Sequence, residues 1–155
     1  MNRLKGALVI AALPMGAAAA DAPQWFSFRE SFSGQDYAMV CLTDPRQCLT
    51  ILCHEDHPVL EYRVEAEDGA ETGDREMLSL QIDGGPQIDI PATLINQRSD
   101  GDFDVRTEPL DDALLDALRS GTDLAFGPTL LNDPVTQYPL RGSTAAIDSV
   151  ISRCR

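Results

Sequence analysis

Short runs of alternating apolar and polar residues dominate most of the chain. In residues 76–83, Leu78, Leu80 and Ile82 share one side and mostly polar residues the other, which is typical of a half-buried strand. Turn residues such as Asp44 and Pro45 separate successive runs, as a meander of antiparallel strands requires. Further strands are predicted at 25–28, 36–42, 48–54, 59–66, 87–94, 102–107 and 123–127.

Helical periodicity appears only in the C-terminal half. Residues 110–121 carry a stripe of leucines and end at Gly121, which is placed as a C′ residue. A second apolar stripe follows Ser143, its predicted N-cap, and consists of Ile147, Val150, Ile151 and Cys154. We therefore expect an α+β fold that is mainly antiparallel β and sandwich-like, with two helices in the C-terminal half.

The first twenty residues predict export. Arg3 and Lys5 precede the apolar run 7–13, and three alanines at 18–20 form a small-residue cleavage site. The apolar run is too short to span a bilayer, and no later run of the chain is long enough. We expect a signal peptide at 1–20 and a single β-rich domain at 21–155, located in the periplasm or beyond it and not inserted in the membrane.

The charge of the chain excludes some partners. Without residues 1–20, the chain has 10 cationic and 25 acidic side chains, a net charge of −15. This charge repels nucleic acid and anionic lipid headgroups and favours a basic partner or simple solubility. We expect no nucleic-acid partner.

Four cysteines remain in the exported chain, and an even number there predicts disulfides. Four cysteines allow three pairings. Cys41 and Cys48 flank one turn and face each other across a predicted hairpin, whereas Cys53 and Cys154 both lie on apolar faces that pack together in the core. We therefore predict the pairs Cys41–Cys48 and Cys53–Cys154.

The only two histidines, His54 and His57, flank Glu55 and Asp56. Neutral imidazoles on a turn bind Zn²⁺ or Cu²⁺, with nearby carboxylates as further ligands. The histidines are too close for the H-E-x-x-H pattern of a zinc hydrolase. We expect a polar turn, no metal site and no other cofactor, and keep a metal or small-ligand site at His54 and His57 as the alternative.

Two other segments carry candidate chemistry. Asp100, Asp102 and Asp104 alternate as calcium ligands do, but without the glycine and glutamate of an EF-hand, so an acidic turn is favoured. The aromatic segment 25–28 suits either a recognition stripe or the core. No nucleophile elbow, phosphate loop or dinucleotide motif is present, so we expect no enzyme activity.

Three segments resemble the invasion-associated locus B-like family of exported bacterial proteins. They are YAMVC (37–41), with Tyr37 where that family usually has tryptophan, the leucine-rich helix followed by DLAFG (123–127), and PLRGSTAAIDSVISRC (139–154). The resemblance implies a disulfide-stapled, β-rich accessory protein of the cell envelope without established catalytic residues. We accordingly expect binding to another envelope or secreted protein.

Overall fold

The computed structural model describes residues 22–65, 68–128 and 135–154. The predicted signal segment 1–20 lies outside the described residues. Within them, nine strands and two helices are found. The strands are β1 (Phe26–Arg29), β2 (Asp36–Cys41), β3 (Cys48–His54), β4 (His57–Val64), β5 (Arg75–Ile82), β6 (Gln87–Gln97), β7 (Phe103–Thr107), β8 (Asp123–Pro128) and β9 (Thr136–Pro139), and the helices are α1 (Asp112–Ser120) and α2 (Ser143–Ile151).

All nine strands belong to one antiparallel sheet in the order β1-β2-β3-β4-β7-β6-β5-β8-β9. β4 and β8 are four strands apart in this order, which is about 19 Å in a flat sheet. The rings of Tyr62 in β4 and Phe126 in β8 are nevertheless only 4.8 Å apart, edge to face. The sheet therefore curls until its two parts face each other, and the predicted α+β fold class is confirmed.

One hydrophobic core fills the inside of the curled sheet. Alternate residues of the strands point into it, as Leu78 and Leu80 of β5 do, and both are almost completely buried. The predicted leucine stripe also belongs to the core, and its members Leu110, Leu114, Leu115 and Leu118 are all buried. Asp111 caps α1 by accepting a hydrogen bond from the backbone N–H of Leu114 at 2.7 Å.

Helix α2 packs across β1, β2 and β3 and also contacts α1. The prediction that Ser143 caps this helix is wrong, because Gly142 is the N-cap and Ser143 is the first helical residue. The hydroxyl of Ser143 is buried and donates to the carbonyl of Leu118 at 2.8 Å. That contact joins α2 to α1, and a buried hydroxyl needs such a partner.

Gly121 ends α1, but for a different reason than predicted. Its φ of −74° is open to any residue, so the left-handed C′ conformation is not used. A Cβ atom there would instead lie 2.6 Å from Ile82 Cγ2 and 2.8 Å from Leu140 Cδ1. Glycine is required because the chain packs tightly at this point.

Candidate functional site

The cysteines form two disulfides, Cys41–Cys48 and Cys53–Cys154, which is the connectivity expected from the sequence. Cys41 and Cys48 are cross-strand partners at the end of the β2–β3 hairpin. Cys53 is on the core side of β3, where α2 packs, and Cys154 follows α2. All four sulfurs are consumed in these bonds.

The two histidines face each other across a tight hairpin. β4 begins at His57, two residues before the predicted strand 59–66, so the turn contains only Glu55 and Asp56. Both turn residues have positive φ angles (50° and 65°), as a type I′ turn requires. The side chain of Arg106 lies against His54, with its Nη1 atom 3.0 Å from Nε2 of the ring.

This arrangement is a poor metal site. The guanidinium of Arg106 is a fixed positive charge 3.0 Å from Nε2 and 3.2 Å from Nδ1 of His54, and it repels a metal ion at either ring nitrogen. Glu61 binds Arg106 at 2.6 Å and holds it in place. Among the residues that the structure describes, no group of three or more His, Cys, Asp or Glu side chains could hold a metal ion.

The acidic turn between β6 and β7 is neutralised by arginine. Nε of Arg63 donates to Asp102 at 2.6 Å, and Nη2 of the same side chain binds Asp100. Arg98 binds Asp104 at 3.0 Å. Asp100 and Asp102 therefore serve as ion-pair partners that fix the turn to β4, and Asp104 pairs with Arg98 within the β6–β7 hairpin.

Exposed aromatic rings are concentrated on the first hairpin of the sheet. The described residues include four exposed large hydrophobic side chains, and three of them, Phe26, Phe28 and Phe32, belong to β1 and the turn after it. The Phe28 ring stacks on that of Tyr37 in β2, with centroids 5.0 Å apart, and lies 6.0 Å from the Phe26 ring. We call Phe26, Phe28, Phe32 and Tyr37 the aromatic edge.

Trp25 does not belong to this edge. It is 3% exposed, lies on the core side, and donates from Nε1 to the carbonyl of Pro139 at 3.1 Å. The sequence segment 25–28 therefore divides by strand alternation, with Trp25 in the core and the two phenylalanines outside. The sequence does not predict Phe32 and Tyr37 as members of a recognition stripe, because alternation alone does not show which face of a strand remains uncovered.

The aromatic edge is bordered by acidic residues. Burial raises the pKa of the Tyr37 hydroxyl, and the nearby carboxylates of Glu30 and Glu61 raise it further because they oppose a second negative charge. Glu61 is paired with Arg106, whereas Glu30 has no cationic partner among the described residues. An apolar patch with an acidic border fits a protein partner better than an anionic ligand.

Comparisons with known proteins support the fold. No protein-family model matches the chain, and no curated protein matches it. Among solved structures, the chain shares its fold with a protein of similar size, with a TM-score of 0.53 over 85% of this chain and 94% of that one. That structure is the crystal structure of invasion associated protein B from Bartonella henselae, at 15% sequence identity. At this identity the likeness establishes the fold alone.

Proposed function

We propose that the protein is an exported accessory protein of the bacterial cell envelope, related to the invasion-associated locus B-like proteins, and that it acts by binding another protein rather than by catalysis. The aromatic edge carries this proposal. Exposed, clustered aromatic rings are uncommon on monomeric proteins and enriched at protein interfaces.

Export is supported by independent features. Two disulfides form and persist in oxidising compartments such as the periplasm. Among the described residues, no helix is long and apolar enough to cross a membrane. The fold likeness to invasion associated protein B supports a place in the same group of proteins, to which the segments 37–41 and 139–154 also point.

Site-specific photo-crosslinking in the producing cell tests the proposal. The photoreactive residue p-benzoylphenylalanine replaces Phe32, which is 99% exposed, so an aromatic ring takes the place of an aromatic ring without disturbing the core. Val135 is the matched control, because it is the other exposed large hydrophobic side chain of the described residues and lies outside the aromatic edge. We expect a discrete adduct with an envelope protein from position 32 and none from position 135. No adduct from position 32, or the same adducts from both positions, would contradict the proposal.

A further inference from the structure

We propose that β1 accepts an extended segment of the partner protein as an additional strand, and that this segment has alternating apolar side chains and a net positive charge. The inference rests on the proposed function, because it names the mode of binding at the same surface.

The outer side of β1 is open to another strand. Among the strands that the structure describes, β1 pairs with β2 alone. The N–H of Glu30 donates to the carbonyl of Gln35 at 2.9 Å, at the closed end of this hairpin. In an antiparallel pair, every second residue bonds to the neighbouring strand and the residues between them point away. Ser27 and Arg29 therefore direct their backbone N–H and C=O groups away from β2.

Trp25 supports this assignment of the two sides. Trp25 lies two residues before Ser27, so its backbone N–H points to the same side of the strand. That N–H donates to the carbonyl of Arg141 at 2.9 Å, and Arg141 is not part of β2. This bond ties the start of β1 to the chain just after β9. Beyond it, residues 26–29 are all exposed, so an incoming strand has access to them.

The side chains of β1 define what the incoming strand must carry. On an antiparallel pair, side chains that lie directly opposite share one face and contact each other. Alternate side chains of the incoming strand would extend the row of rings formed by Phe26, Phe28 and Tyr37. Apolar residues at every second position therefore fit this face.

Charge selects the partner. The chain has a formal net charge of −13, and the carboxylate of Glu30, near the Tyr37 hydroxyl, has no cationic partner among the described residues. The guanidinium of Arg29, the one cation of β1, lies over the hairpin turn at Gly34. A positively charged segment is attracted to this surface, and a second copy of the same acidic chain is repelled. We therefore infer that the occupant is a basic segment of another protein.

Peptide binding in solution tests the inference with the full exported chain. The first peptide alternates valine and serine and has lysines at both ends. A second has glutamates in place of the lysines, and a third has the lysines and a proline in place of its central serine. Isothermal titration calorimetry gives their affinities, and sedimentation equilibrium gives the oligomeric state of the free protein.

We expect the lysine peptide to bind roughly tenfold more tightly than the glutamate peptide, and the proline peptide to lose binding, because proline removes a backbone donor. Ser27→Pro removes the outward N–H of β1 without removing a bond to β2, so it should weaken binding roughly tenfold or more. Ser27→Ala keeps that N–H and should bind as the wild type does. Phe28→Ser should also weaken binding, and thermal unfolding shows whether each variant is folded.

Equal affinity of Ser27→Pro and Ser27→Ala would overturn strand addition, and equal affinity for the lysine and glutamate peptides would overturn the charge preference. A stable dimer that Phe28→Ser dissociates would make a second copy of the chain the occupant instead. If no peptide binds but the adduct from position 32 forms in cells, strand addition is wrong and the proposed function stands. If that adduct is missing, the proposed function itself fails.

Discussion

Cys53 of β3 and Cys154 after α2 are bonded across 101 residues of sequence, with their Cα atoms 5.4 Å apart. The bond fastens the end of the chain to the third strand of the sheet, against which α2 packs. The bond keeps the C-terminal end of α2 close to β3.

Removing Cys53–Cys154 should cost more stability than removing Cys41–Cys48. The chain-entropy relation gives about 4.7 kcal/mol for the long loop and about 2.4 kcal/mol for the loop of 7 residues. Urea unfolding of Cys53→Ala/Cys154→Ala and of Cys41→Ala/Cys48→Ala measures the two costs. Equal losses in the two double variants would show that the long bond does not restrict the unfolded chain as argued.

Gly142→Ala should destabilise the protein more than Gly73→Ala. Both glycines have positive φ angles, 83° and 100°, so alanine is strained by about 1–2 kcal/mol at either position. A Cβ atom at position 142 would also lie 2.7 Å from the carbonyl oxygen of Trp25, whereas nothing lies within 4 Å at position 73. We expect a further loss of about 1–3 kcal/mol for Gly142→Ala, measured by urea unfolding. Equal losses of stability in the two variants would mean that the backbone at Trp25 moves away from the new methyl group at no cost.

Stability should fall at alkaline pH through Tyr138. Burial raises the pKa of this phenol to about 12, against an ordinary value of 10.0. The unfolded chain therefore ionises first, and the free energy of unfolding is highest below about pH 10 and falls as the pH rises to about 12. Tyr138→Phe should flatten this fall, although Tyr37, whose pKa is also raised, keeps part of it. Urea unfolding at stepped pH measures the effect, and an unchanged alkaline loss in Tyr138→Phe would refute the assignment.

Zn²⁺ and Cu²⁺ should not bind at His54 and His57 with micromolar affinity, because Arg106 occupies the space beside the His54 ring. Thermal unfolding with and without each metal checks this, since a ligand that binds the folded state raises the melting temperature. A rise that disappears in His54→Ala/His57→Ala would restore the metal-binding alternative.

The sequence predicts the local elements well because each depends on nearby residues. The alternation around Leu78 and the leucine stripe ending at Leu118 specify a strand and a helix whose apolar sides form the core. The order of strands could not be predicted, since β4 pairs with β7 and β5 with β8, far apart in the chain. The alternation of apolar and polar residues in a strand does not show which distant strand pairs with it.

The candidate site depended even more on tertiary structure. The ion pairs of Arg63 join residues that are 37 and 39 positions apart, so the sequence showed only an acidic turn. The exposure of Phe28 follows from its position on β1, the edge strand of the described sheet. Ser143 was misassigned because its buried acceptor, the Leu118 carbonyl, lies on another helix.

Binding of the partner along β1 should cover the outer edge of this strand. Hydrogen exchange of backbone amides in the complex recovered from the producing cell, compared with the isolated protein, tests this most directly. We expect slower exchange at the backbone N–H groups of Ser27 and Arg29, with helix α1 unchanged. Unchanged exchange in β1, together with slower exchange on another face of the molecule, would contradict it.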